Sequence, residues 1–195
     1  HDDIGLGYDE EKILRAGFTP RAHRRFLLDF YSGRYPGSWA RGGLFMEDPK
    51  TGDARISGTC ASLCGLEKAL EEGDADATEL ALRRIELLHG LVASLTGIPL
   101  VYSGDELALR NDPDWAADPA LADDNRWMHR PRLDPAALAR SETEGTLEAR
   151  IFGAIASYLG IRKGVPAFAP DAPFETLHAP NEHLVLCVRT PRPDV

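Results

Sequence analysis

The 195 residues carry a net charge of −9, with 43% hydrophobic and 8% aromatic side chains. That length is enough for one domain with a real core, and the composition is that of a soluble globular chain. The acidic balance argues against non-specific binding to nucleic acid or an anionic membrane, and no apolar run is long enough to span a bilayer.

Taken in chain order, Thr19-Pro20 reads as an N-cap followed by proline at the first helical position. The predicted helix carries Phe26, Leu27, Phe30 and Tyr31 on one face and stops near Gly33. Residues 34–56 are rich in Gly, Pro and aromatics and read as an ordered loop region. Ser57-Gly58-Thr59 then leads into a helix with Leu63, Leu66 and Leu70 in register. A stronger helix is predicted from Thr78 to Leu95, with Leu82, Ile85, Leu88, Leu91, Val92 and Leu95 forming its apolar stripe and Gly97 ending it. The continuous apolar run from Ile98 to Tyr102 suits a parallel strand buried on both faces. Gly104-Asp105-Glu106 places two carboxylates just past its C-terminal end, where α/β barrels build their sites. Residues 107–140 read mostly as loop, and a helix spans Thr146 to Lys163 with Ile151, Ile155 and Leu159 inward. His183 to Arg189 is a short β-type run after a turn. The order suits the last part of a (β/α)8 TIM barrel followed by the start of a β domain, and pattern alone leaves a doubly wound sheet open.

Three cysteines, Cys60, Cys64 and Cys187, make no disulfide framework. Cys60 and Cys64 lie one helical turn apart in an apolar stretch and read as buried free thiols, since no His or Cys completes a metal set nearby. The densest patch of site-type residues is His1-Asp2-Asp3. Spacing alone allows a capped turn with solvated acids, a His-Asp metal pair, or a binding site; His23, His89 and His129 are scattered without the helical spacing that a metal set needs. Arg24, Arg55 and Arg126 each sit beside aromatic or small polar residues. Each reads either as a surface cation paired with an acid or as a guanidinium that grips a carboxylate or sugar hydroxyls.

Four segments carry a more specific resemblance. His1-Asp2-Asp3-Ile4-Gly5 resembles the last conserved motif of glycoside hydrolase family 13, the α-amylase superfamily. The stretch from Gly97 to Glu106 is similar to that superfamily's eighth barrel strand and the turn after it. Thr51 to Leu66 and Asp124 to Arg132 narrow the resemblance to amylosucrase and its close relatives. The segments stand in the family's order and spacing.

The resemblance implies that residues 1–3 end barrel strand seven and that 4–73 form a helical insertion. Residues 74–166 then hold helix seven, strand eight, a loop and helix eight, and 167–195 start a C-terminal β domain. The first six strands, with the nucleophile and the general acid/base on strands four and five, have no counterpart here, so the expectation is a C-terminal fragment, inactive and poorly stable by itself. The implied reaction is retaining transfer of glucose from sucrose to an α-1,4-glucan with release of fructose. Asp2 matches the carboxylate that favours the flattened, oxocarbenium-like sugar, His1 a residue binding the same sugar, and Asp3 an acid near the next subsite. Arg24 and Arg55 match arginines lining acceptor subsites, and Arg126 the arginine that pairs with an upstream Asp and closes the pocket base. Phe26 is a further candidate, for stacking on a sugar or packing in the core. No cofactor or metal is implied; the partners are sucrose, the glucan and the N-terminal half of the barrel, with no nucleic acid or membrane. A cytoplasmic location is expected, with export left open. A sucrose hydrolase, another α-glucosidase of the superfamily, and a non-catalytic carbohydrate-binding module are the alternatives.

Overall fold

The structure, a computed structural model, describes residues 6–181 and 183–191. It is mixed helical and β, 48% helix against 8% strand, so the helices form the scaffold. The expected end of strand seven at residues 1–3 lies outside the described residues.

A short helix that the sequence did not signal, α1 (Glu10–Arg15), comes first, capped by the Asp9 side chain on the Lys12 amide. Helix α2 (Pro20–Tyr31) begins with proline at its first turn, as predicted, and ends two residues before Gly33, with Ser32 as its C-cap. Its deepest side chain is Leu28, however, which packs with Ala54, Ile56 and Leu63 in one of two small cores. Phe26 and Phe30 turn instead toward Tyr35 and Trp39, with ring centroids 5.1 Å apart for Phe26–Tyr35 and 4.7 Å for Phe30–Trp39.

The predicted loop over 34–56 contains strand β1 (Gly43–Phe45), which pairs antiparallel with β2 (Arg55–Ser57). Residues 6–73 are therefore helical with a β-hairpin inside them. Strands of three residues carry almost no periodic signal, which is why residue pattern reads this region as loop. The helix expected after Thr59 is two pieces, α3 (Cys60–Leu63) and α4 (Leu66–Glu72). Gly65 breaks them at φ +98°, and a Cβ there would stand 2.9 Å from Trp39 Cδ1.

Helix α5 (Ala75–Ser94) starts three residues before the predicted Thr78 because Asp74 caps it through the Ala77 amide. Its apolar stripe divides. Leu82 and Ile85 are buried with Leu66, Ala81, Ile151 and Ile155 in the second core. Leu88, Leu91, Val92 and Leu95 are exposed. The run 98–102 is not a strand. Ile98 is 86% exposed and Leu100 67%. A strand buried on both faces needs hydrogen-bonded neighbours at its sides, and no strand of the two described sheets lies beside this run. Leu88 and Val92 of α5 share an exposed apolar face with Leu100, since all three line one cavity.

Residues 105–129 fold as three short 3-10 turns, Asp105–Leu107, Trp115–Ala117 and Asn125–His129, and α6 (Pro135–Ser141) follows. Helix α7 (Leu147–Gly164) matches its predicted span, with Thr146 as N-cap; Ile151 and Ile155 are buried as expected, whereas Leu159 is exposed. Arg150 joins α7 to α5 by pairing with Glu86 at 2.7 Å and with Glu79. The C-terminal end of α5 is closed by guanidinium groups. Arg162 donates to the carbonyls of Ala93, Leu95 and Gly97, and Arg189 to those of Ser94 and Leu95. They satisfy carbonyls that have no partner inside the helix and sit at its negative pole. Arg189 belongs to β4 (Leu186–Arg189), which pairs antiparallel with β3 (Phe174–Leu177), so the terminal β run is present and anchored to α5. Among the described residues, no helix is long and apolar enough to cross a membrane.

Gly65→Ala is expected to destabilise the chain by more than about 1 kcal/mol, because it combines a left-handed backbone with a clash on Trp39. Gly73→Ala, at φ +66° with open space around it, is expected to cost less. Urea midpoints of the two variants check the order, and equal midpoints would contradict it.

Candidate functional site

His1, Asp2 and Asp3 lie outside the described residues. The three arginines do not: Arg55 stands in β2, Arg126 contacts Phe45 of β1, and Arg24 contacts Asp53 in the turn before β2. In the hairpin's register Phe45 faces Arg55. Arg126 comes from a different part of the chain, yet its guanidinium stacks 4.6 Å from the centroid of Phe45. Arg24, on α2, donates from Nη1 to Asp53 at 3.2 Å, two residues before Arg55. Glu10 is 3.9 Å from Arg24 Nη2, and the Tyr8 ring is 5.8 Å from its guanidinium carbon.

Local structure explains how Arg126 is held. Asp124 is the N-cap of the turn Asn125–His129, its side chain accepting from the Arg126 amide at 3.0 Å. The same carboxylate takes Arg126 Nε at 2.8 Å and Nη2 at 2.7 Å, a fork-to-fork pair. Hydrogen bonds from the Arg126 side chain, chiefly, hold the Asp124 carboxyl down at about 2. The bidentate grip foreseen for this guanidinium is thus made within the motif itself.

Two asparagines fasten the hairpin to this region. Asn125 Nδ2 donates to the Leu44 carbonyl at 2.6 Å, and its Oδ1 accepts from Ser57 Oγ at 3.3 Å. Asn111 Nδ2 donates to the Arg41 carbonyl at 2.6 Å, and its Oδ1 accepts from the Thr59 amide at 2.9 Å. Ser62 Oγ, which donates to Glu67, accepts from the Asn111 amide at 2.9 Å. Gly42 lies at the hairpin's root, where a Cβ would stand 2.5 Å from the Tyr31 carbonyl oxygen, so a side chain there would push the hairpin off α2.

The carboxylate pair after residue 104 separates into two roles. Glu106 folds back to accept from the Gly104 amide at 2.8 Å, which makes it a turn brace. Asp105 faces His89, with Oδ2 3.8 Å from Nε2, while His89 Nδ1 donates to the Ile85 carbonyl at 2.9 Å. Burial disfavours charge on His89, but the Asp105 carboxylate and the Ile85 carbonyl outweigh it and raise its pKa. A raised folded-state pKa contributes stability below about pH 6.5, and that contribution is lost as pH rises through the higher folded value.

Phe45, Asp53, Asn111, Asn125 and Tyr8 belong to this arrangement and were not singled out by residue pattern. Asn125 had a signal, because it stands inside the segment Asp124 to Arg132; Phe45 and Asn111 had none, since their roles depend on the pairing of distant segments. Among the described residues, no group of three or more His, Cys, Asp or Glu could hold a metal ion. No protein-family model matches the chain.

The Asp124 carboxyl is expected to titrate at about 2 in the folded protein. Arg126→Gln is expected to return it toward the ordinary value of about 3.9. Because its folded value lies below the ordinary one, the pair stabilises above that ordinary value and fades as pH falls toward the folded one. Carboxyl carbon NMR follows the midpoint directly, and an unchanged midpoint in Arg126→Gln would contradict the pairing.

Proposed function

We propose that the chain is the C-terminal part of a (β/α)8 barrel in an amylosucrase-like enzyme of the α-amylase superfamily. That enzyme splits sucrose, holds the glucosyl unit covalently, and passes it to the non-reducing end of an α-1,4-glucan. In this reading Asp2 and His1 grip hydroxyls of the reacting sugar. Such contacts tighten as the ring flattens, so they lower the barrier and do more than hold substrate. Asp3 faces the next subsite. Arg126, braced by Asp124, closes the pocket base, and Arg24 and Arg55 line the path of the acceptor. The nucleophile and the acid/base belong to strands four and five of the same barrel.

The observation that carries the reading is that Arg24 and Arg126, from segments distant in the chain, each contact the hairpin that bears Arg55 or the turn before it. Guanidinium groups donate in a fixed fork and accept nothing, which suits sugar hydroxyl oxygens arranged along a groove. The exposed apolar face shared by Leu88, Val92 and Leu100 is further support, since barrel strands would cover it.

The test uses the full-length protein that contains this chain, with sucrose and with or without glycogen. Fructose release in excess of free glucose, with glucan growth, is expected. Equal glucose and fructose with no glucan would replace transfer by hydrolysis, and no fructose at all would overturn the sucrose reading. Asp2→Asn is expected to lower kcat by about 10²-fold or more, the scale for removing one group that stabilises transition-state charge. Arg55→Ala is expected to lower transfer to glycogen about tenfold, worth about 1.4 kcal/mol, while sucrose cleavage in water is kept.

A further inference from the structure

Cys60 opens α3 and Cys64 caps it, with the Cys64 amide donating to the Cys60 carbonyl at 2.9 Å. Both are free thiols. Both line a cavity of about 440 Å³ that also takes in Arg84, His89 and Asp105. Neither takes part in the sugar site described above.

Three features bear on what such a pair can do. The first is reach: Cβ atoms four residues apart in a helix lie about 5–6 Å apart, and a disulfide needs about 3.5–4.5 Å. Here the helix ends at Cys64 and Gly65 follows at φ +98°, so only a terminal turn must tighten. The second is asymmetry. The mutual interaction of the two thiols, chiefly, pushes Cys60 up and Cys64 down from the ordinary thiol value. Arg84 adds positive charge on the Cys64 side, donating from Nη1 to the Cys64 carbonyl at 3.1 Å. Its guanidinium is fixed 3.8 Å from the Trp39 ring centroid. The third is placement: both thiols line the same cavity, and Cys60 is the less buried of the two.

We propose that Cys60 and Cys64 are a peroxide-responsive dithiol, with Cys64 the attacking thiolate and Cys60 the resolving thiol. The Cys64 thiolate attacks the terminal oxygen of a hydroperoxide. A sulfur–oxygen bond forms, the O–O bond breaks, and the departing alkoxide or hydroxide takes a proton from water. Cys60 sulfur then attacks the sulfenic sulfur. The S–S bond forms, the S–O bond breaks, and the leaving hydroxide combines with the Cys60 proton as water. Overall two thiols lose two electrons and two protons, and one peroxide becomes an alcohol, or water, plus water. The new bond would tighten the turn that follows Thr59, at the end of the segment carrying Arg55. The inference does not rest on the glucosyl reading.

The test treats the protein with hydrogen peroxide, quenches it, alkylates it in denaturant and cleaves it with trypsin. Residues 56–68, between Arg55 and Lys68, hold both thiols in one peptide. That peptide is expected to escape alkylation and weigh about 2 Da less than its dithiol form, with reversal by dithiothreitol. Met46, 69% exposed, serves as the dose marker through its sulfoxide. Two alkyl groups on the peptide at a dose that oxidises Met46 would overturn the proposal. In Cys60→Ser, dimedone is expected to trap a sulfenic acid at Cys64, and in Cys64→Ser to label Cys60 at least several-fold less. Equal labelling would overturn the assignment of the attacking thiol. The wild-type experiment decides the disulfide itself even where a variant folds poorly.

Discussion

Asn111 and Asn125 each bond to both sides of the β1–β2 hairpin, and the rest of the site depends on those bonds. The β1–β2 hairpin has strands of three residues. An isolated two-stranded hairpin is marginal in water. Asn125 reaches both of its strands, through the Leu44 carbonyl and the Ser57 hydroxyl, while Asn111 holds the flanks at Arg41 and Thr59. Backbone groups that a larger sheet would satisfy are satisfied here by side-chain amides, which carry both a donor and an acceptor. Behind the hairpin, Ile56 and Leu63 pack on Leu28 of α2, so the polar clamps and a small apolar core act on the same element.

That anchoring decides where the arginines stand. Asp53 and Arg55 occupy one arm of the hairpin and Phe45 the other, so Arg24 and Arg126, arriving from elsewhere, meet fixed partners. The net charge is strongly negative, yet these guanidiniums are not spread at random among acids. Arg126 is gripped by the carboxylate two residues before it, and Arg24 by the turn that precedes β2. A pre-paired guanidinium loses less freedom when a ligand arrives, which is the physical basis of a pre-organised binding rim. The His89–Asp105 pair and the two thiols line a cavity that reaches from α5 to Ile56 of β2 and His129.

Residue pattern recovers the elements whose signals are local. Proline after Thr19 marks the start of α2, and the periodic leucines and isoleucines locate α5 and α7. It misplaces elements whose state depends on partners distant in sequence. The run from Ile98 to Tyr102 has strand composition, but strand geometry requires neighbouring strands, and the run is instead largely exposed. The hairpin and the break at Gly65 are equally non-local: one follows from amide clamps across the fold, the other from Trp39 lying against the backbone. For the candidate site, Arg55 and Arg126 are singled out because their segments, Thr51 to Leu66 and Asp124 to Arg132, resemble a known family. Phe45 and Asn111 are not, because nothing in their immediate sequence indicates what they meet.

The claim that side-chain amides hold the arginine-bearing hairpin is tested most directly by hydrogen exchange on Asn125→Ala. Amide exchange is expected to accelerate on 43–45, 55–57 and 125–129, while α5 and α7 keep their protection. Unchanged exchange at the hairpin, or equal acceleration throughout the chain, would contradict it.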